Sequence, residues 1–194
     1  MKTTRTYTMG ARAEAVRQTR RRIMQATFEL AQTQTVSTIS LDRVADTAGV
    51  SVQTVLRQFG SRAGVIEATI AFATDAVREE RRAPIGDVDA AMRVLLDHYE
   101  QRGDLALLLL SQENDEDVAP IVAGGRAVHE NWVREVFAPS FADVADPDEL
   151  FDLLVVVTDV YAWKQLRRDR ELPRRVTEQR MKSLVCAVLA SAQP

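Results

Sequence analysis

Two short amphipathic segments, 41–48 and 52–58, flank the tripeptide Gly49-Val50-Ser51. A connection this short forces two helices to meet at a steep angle. Ser40 can accept from first-turn amides and open the first helix, which buries Leu41, Val44 and Ala45. Ala48 is small enough for close helix contact, and Gly49 can take the positive φ that ends a helix abruptly. Val50 fills the wedge between the helices and Ser51 caps the second one. The outer face of that second helix then carries Val52, Gln53, Thr54, Arg57 and Gln58. Such a helix-turn-helix can enter the major groove of DNA with its second helix N-terminus first. Ordinary packing of two helices explains the turn equally well, so the pattern needs a second observation beside it.

Charge supplies that observation. The 194-residue chain has a formal net charge of -3, but the charge is divided unevenly along it. Residues 1–62 hold ten basic and four acidic side chains, net +6, and the remainder is net -9. Lys and Arg gathered at one end suit a localised contact with a polyanion, because they release the counterions condensed on phosphates.

Helical spacing runs through the rest. Residues 1–10 are polar without a period and read as a flexible basic arm, whereas apolar positions from Ile23 to Ala31 recur at helical spacing. Helices are expected near 11–33, 41–48, 52–58, 62–82, 87–101, 104–112, 118–137, 148–169 and 174–192. Asp104 after Gly103, Asp117, and Asp146-Pro147 mark three of the starts. Gly124-Gly125 inside a helical stretch signals close packing, a kink or a mobile element. Eight Gly and six Pro are few for an all-β chain of this length. The fold class is all-α with about nine helices. A domain of residues 1–62 precedes one of 63–194, with 62–82 as the connecting helix.

Other chemistries find little support. A lone cysteine, Cys186, excludes a disulfide framework and a Cys-built zinc site, and it is expected on a buried helix face. The two histidines lack a metal spacing, and neither a phosphate-cradling glycine loop nor a nucleophile motif is present, so no enzyme, cofactor or metal is expected. No secretory leader follows Met1, and apolar runs such as Leu105 to Leu110 are too short to span a bilayer. A cytoplasmic protein without membrane partners is the expectation.

Residues 20–70 resemble the tetracycline-repressor (TetR) family of bacterial transcription regulators. The resemblance is carried by Arg20-Arg21-Arg22-Ile23 through Ala26, Val44-Ala45, Ala48-Gly49-Val50-Ser51, Thr54-Val55, Phe59 and Ser61-Arg62. It implies a homodimer with an N-terminal DNA-binding domain and a C-terminal body that binds a small molecule and dimerises. There are departures. Leu56 stands where the family usually has a tyrosine that touches the DNA backbone, and Arg62 where lysine is usual. Gln34-Thr35 replaces a frequent glycine, and Gln53 a common small residue.

Roles follow from chemistry and resemblance together. Val52, Gln53 and Thr54 are expected to read base edges, since glutamine can pair bidentately with adenine and valine can meet a thymine methyl. Arg57 can reach a base or a phosphate. Ser40, Arg43, Gln58 and Arg62 are expected on backbone phosphates, and Arg5 or Arg12 in the adjacent minor groove. Apolar stripes at Leu150, Leu153, Leu154, Val157, Val160 and Tyr161, and at Met181, Leu184, Val185, Val188 and Leu189, make helices 148–169 and 174–192 the expected dimer surface. In the family such a pair forms a four-helix bundle with its symmetry mate. Met92, Tyr99, Leu107, Leu110, His129, Trp132 and Tyr161 are the candidates for the lining of an effector pocket. The expected function is that of a sequence-specific DNA-binding transcription regulator, a repressor released from a palindromic operator by a small hydrophobic effector. The rival reading is a dimeric helical adaptor with a degenerate DNA-reading head, for which Leu56 is the motive.

Overall fold

The computed structural model describes residues 4–142 and 144–192, with side chains described from Gly10 onward. Every regular element among the described residues is helical. The order is α1 (Thr4–Ala31), α2 (Leu41–Ala48), α3 (Val52–Phe59), α4 (Arg62–Glu80), α5 (Val88–Leu110), α6 (Ala119–Val136), α7 (Pro147–Val157), α8 (Val160–Lys164) and α9 (Arg174–Ser191). Two compact units divide the chain, the first ending at Ala73 and the second starting at Thr74. The division falls inside α4, not at its start, because Val65 is buried in the core of the first unit.

That first core is built from Ile23, Ala26 and Leu30 of α1, Ile39, Val44, Ala45 and Ala48 around α2, Val55 of α3, and Val65. The polar 4–10 stretch, expected to be an arm, is helical and continuous with α1. It has no apolar stripe to announce it. Residues 10–18 are exposed throughout, and local pairing such as Arg17 Nε donating to Glu14 at 3.0 Å accompanies the helix there.

The second unit packs α5 to α9 around Met92, Leu95, Leu96, Tyr99, Trp132, Val133, Leu150, Leu154, Trp163, Met181 and Val185. Here three sequence expectations fail. α5 runs unbroken through Gly103 and Asp104, so Asp104 opens nothing. Gly103 is there because the Trp163 ring lies against the helix: a Cβ would stand 2.5 Å from its Cζ3. The expected 148–169 helix is interrupted at Thr158-Asp159, where Asp159 accepts from the Tyr161 amide at 2.8 Å and starts α8. A π-helical turn, Gln165–Asp169, follows. Third, α6 starts at Ala119 behind Val118 with Pro120 in its first turn, not on an Asp117 cap. Gly124 and Gly125 sit exposed in α6 with nothing near their Cβ positions, so close packing does not explain them. Cys186 is exposed, since the buried row of α9 is Thr177, Met181 and Val185, and the next residue turns outward.

Candidate functional site

The turn between α2 and α3 has the geometry its sequence requires. Ser40 Oγ accepts from the Arg43 amide at 3.3 Å, and Gly49 adopts φ 64° and ψ 42°, the left-handed conformation that ends α2. The Val50 amide then donates back to the Ala45 carbonyl at 3.0 Å. Ser51 caps α3 by accepting from the Thr54 amide at 3.2 Å, and its hydroxyl also lies 3.0 Å from Thr54 Oγ1. Val55 is the buried anchor of α3.

With Val55 inward, the outer side of α3 presents Gln53 and Arg57 as exposed side chains, and Thr54, Val52 and Gln58 as half-buried ones. Val52 also packs against the core, so only part of it is open to a base. Ser40 and Arg43 are exposed at the start of α2. Neither Arg43 nor Arg57 makes an ion pair among the described residues, which leaves two cations unneutralised on the two helices of the motif. Leu56, at the position of the usual tyrosine, is 40 % exposed.

Arg62 is placed differently from the other basic candidates. Its Nε donates to the Ile39 carbonyl at 2.8 Å and its Nη2 to the Val36 carbonyl at 2.6 Å. The guanidinium thereby closes the 3-10 turn Val36–Thr38 that leads into α2. Arg12 is exposed on α1, while the side chain of Arg5 lies outside the described residues.

Sequence reasoning missed Arg20. Its guanidinium donates to the Gln58 carbonyl at the C-terminal end of α3 and lies 4.2 Å from the centroid of the Phe59 ring. A cation at that end also meets the negative pole of the helix. α3 is therefore held at both ends, by Ser51 and by Arg20. Within an Arg-Arg-Arg run, nothing in the spacing singles out the first arginine.

In the second unit, Met92, Tyr99 and Trp132 are buried in one core, and Leu107 and Leu110 pack against it half-buried. Tyr161 is 49 % exposed and stands on the outer surface, away from any interior lining. Met92, Tyr99 and Trp132 thus sit within the packed core of the unit. Trp132 borders a groove that is also lined by Arg81, Ala83, Val128, Asn131 and Val136.

A buried polar cluster lies beside that core. His129 Nδ1 faces Arg81 Nη2 at 2.8 Å, and its Nε2 faces the Val155 carbonyl and Thr158 Oγ1, each at 3.2 Å. The Tyr99 hydroxyl donates to the Thr158 carbonyl at 2.8 Å. Burial, reinforced by the Arg81 charge, holds both His98 and His129 near a pKa of about 4. Beside His98, Glu80 is held below the ordinary carboxylate range by its hydrogen bonds from Arg102. Burial also pushes the Tyr99 phenol upward.

A tight turn followed by a capped second helix that faces outward, with Arg43 and Arg57 exposed on the pair, is helix-turn-helix geometry of the kind that enters the DNA major groove. Residues 23–69 match the family model described as bacterial regulatory proteins, tetR family. Residues 23–69 thus form the N-terminal domain that this family model describes, as the motif resemblance implied. A comparison with curated proteins finds no match. Among solved structures, a transcriptional regulator from Rhodococcus sp. is 17 % identical with a TM-score of 0.66, covering 90 % of this chain and 98 % of its own. A TetR-family regulator from Streptomyces coelicolor is 19 % identical with a TM-score of 0.63, over 92 % of this chain and 90 % of its own. At these identities the likeness establishes the fold. No helix among the described residues is long and apolar enough to cross a membrane.

Proposed function

We propose that this regulator is a homodimer that reads a palindromic operator through α3 and represses transcription until a small, mostly hydrophobic effector binds the second unit. The observation that carries the reading is α3 itself: capped by Ser51, clamped by Arg20, and turning Gln53 and Arg57 outward from a unit rich in unpaired arginine. Val52, Gln53 and Thr54 read base edges, and Arg57 takes a base or a phosphate. Ser40, Arg43 and Gln58 hold phosphates, and Arg62 contributes by fixing the turn before α2.

Two such helices need a two-fold axis to meet half-sites about 34 Å apart. Support for a dimer comes from the apolar side chains that α7, α8 and α9 leave uncovered: Leu153, Val156, Tyr161 and Leu184 are between 41 % and 65 % exposed. An effector acts by favouring a conformation whose α3 spacing mismatches the operator, and the coupling is reciprocal.

Selection of bound sequences from a random DNA pool tests the base-reading role. Gln53→Ala is expected to relax preference at one position per half-site by about 1–3 kcal/mol while leaving the others intact. A wild-type profile with no preferred sequence would favour the adaptor reading that the exposed Leu56 suggests.

A further inference from the structure

The second unit buries a positive charge for which no described residue supplies an ion-pair partner. Arg81 is 4 % exposed, and no carboxylate among the described residues lies within ion-pair distance of it. Its Nη2 meets His129 Nδ1 at 2.8 Å, while its Nε has no hydrogen-bond partner. The ring can serve Arg81 only as an acceptor, so His129 is neutral with its proton on Nε2, facing the Val155 carbonyl. A neutral imidazole accepts a hydrogen bond but brings no charge.

The nearby acids are committed elsewhere. Glu80 accepts from Arg102 at 2.7 Å, and Asp159 caps α8 through the Tyr161 amide at 2.8 Å. The Tyr99 hydroxyl donates to the Thr158 carbonyl and the Thr158 hydroxyl to the Leu154 carbonyl. A buried cation left unpaired is costly, and one missing counter-charge is what an anionic ligand can bring.

A route and a platform for such a ligand are present. Arg81 and Trp132 both line the groove, with Ala83, Val128 and Val136 as apolar neighbours. Trp132 is fixed there by donating from Nε1 to the Arg81 carbonyl at 2.8 Å, and the Arg81 guanidinium lies 4.7 Å from the ring centroid. Two of the groove's acids, Asp75 and Glu79, are paired with Arg78 at 3.6 Å and Arg82 at 3.0 Å, which leaves Glu135 as the remaining acid.

We propose that Arg81 anchors an anion-binding subsite, and that the ligand of the second unit is an apolar carboxylic acid. Its carboxylate meets the Arg81 guanidinium in the bidentate manner arginine favours, and its apolar part lies along Trp132. The inference narrows the effector reading above and rests on it for the consequence at DNA, but binding itself is measurable without DNA.

Calorimetric titration of the full chain with benzoate, phenylacetate and octanoate, each beside its neutral amide, tests the proposal. At least one acid is expected to saturate at least about tenfold more tightly than its amide. Arg81→Met keeps the volume and removes the charge, and it should lose at least about tenfold in acid affinity while keeping its thermal transition. Acids and amides binding alike, no saturable acid up to about 10 mM, or unchanged acid affinity in Arg81→Met would each overturn it. If Arg81→Met does not fold, the acid-to-amide ratio of the wild type decides alone. An acid that binds yet leaves DNA affinity unchanged supports the subsite and defeats the effector reading. An operator released by a ligand while every acid fails does the reverse.

Discussion

Three glycines lie inside the helices of the second unit, and alanine should act on them with opposite signs. In a helix interior glycine is worse than alanine by about 1 kcal/mol, so propensity alone makes every such exchange stabilising. At Gly124 and Gly125 nothing lies within 4 Å of the added Cβ, so each alanine should realise about 1 kcal/mol of stability. At Gly103 the Cβ would meet Trp163 Cζ3 at 2.5 Å, Cη2 at 2.7 Å and Cε3 at 3.0 Å. Trp163 cannot swing aside, because it is 0 % exposed and its indole N–H donates to Glu100 at 3.1 Å. Overpacking typically costs about 1–3 kcal/mol, and contact with three ring atoms belongs near the upper end. Subtracting the propensity gain leaves Gly103→Ala less stable than wild type by about 2 kcal/mol. Thermal melts followed by far-UV circular dichroism should separate Gly103→Ala from Gly124→Ala by roughly 6–12 °C. Gly103→Ala melting at or above the wild type would refute the packing argument for the α5–α8 contact.

Acid should destabilise the second unit. Both buried histidines have folded pKa values of about 4, below the ordinary value of 6.5, so between those limits the unfolded chain binds protons that the folded chain refuses. Their contribution is fully present above about pH 6.5 and falls away toward pH 4, a loss of roughly 3–4 kcal/mol between pH 7 and 5. Urea melts at a series of pH values measure it, and His129→Gln should remove about half of the slope; a flat profile counts against both burial and charge as the cause. Arg20→Met should weaken specific DNA binding at least about tenfold by releasing the end of α3, with the far-UV spectrum of the protein otherwise kept. Unaltered affinity would reduce Arg20 to an ordinary surface cation. Val156→Glu with Leu184→Glu should yield a monomer in sedimentation equilibrium, and a persisting dimer would exclude that face.

What the sequence revealed was what neighbours decide. Ser40, Gly49, Ser51 and Asp146 act on amides or carbonyls within a few residues, and each does what its side chain requires. Gly103 looked like a helix stop because the ring that demands a glycine lies sixty positions further along the chain, at Trp163. Asp159 was readable as a cap, but the apolar pattern on both sides of it spoke for one long helix. The outward face of α3 was legible because one turn of known shape determines it. The Arg81–His129 pairing was not, since an isolated arginine and an isolated histidine 48 residues apart give no spacing signal. Arg62 shows the same limit in reverse: a cation beside a DNA-reading motif suggests phosphate, whereas its donors meet the carbonyls of Val36 and Ile39.

DNA recognition by α3 is tested most directly by titrating the full chain against a duplex from the region upstream of its own gene and against a scrambled duplex, at one fixed salt concentration. Specific regulators bind their sites about 10³-fold or more above unrelated sequence. The expected result is a preference of that order that collapses in a Gln53→Ala, Arg57→Ala double variant of unchanged stability. Equal affinity for both duplexes, or a preference that survives the loss of both side chains, would contradict it.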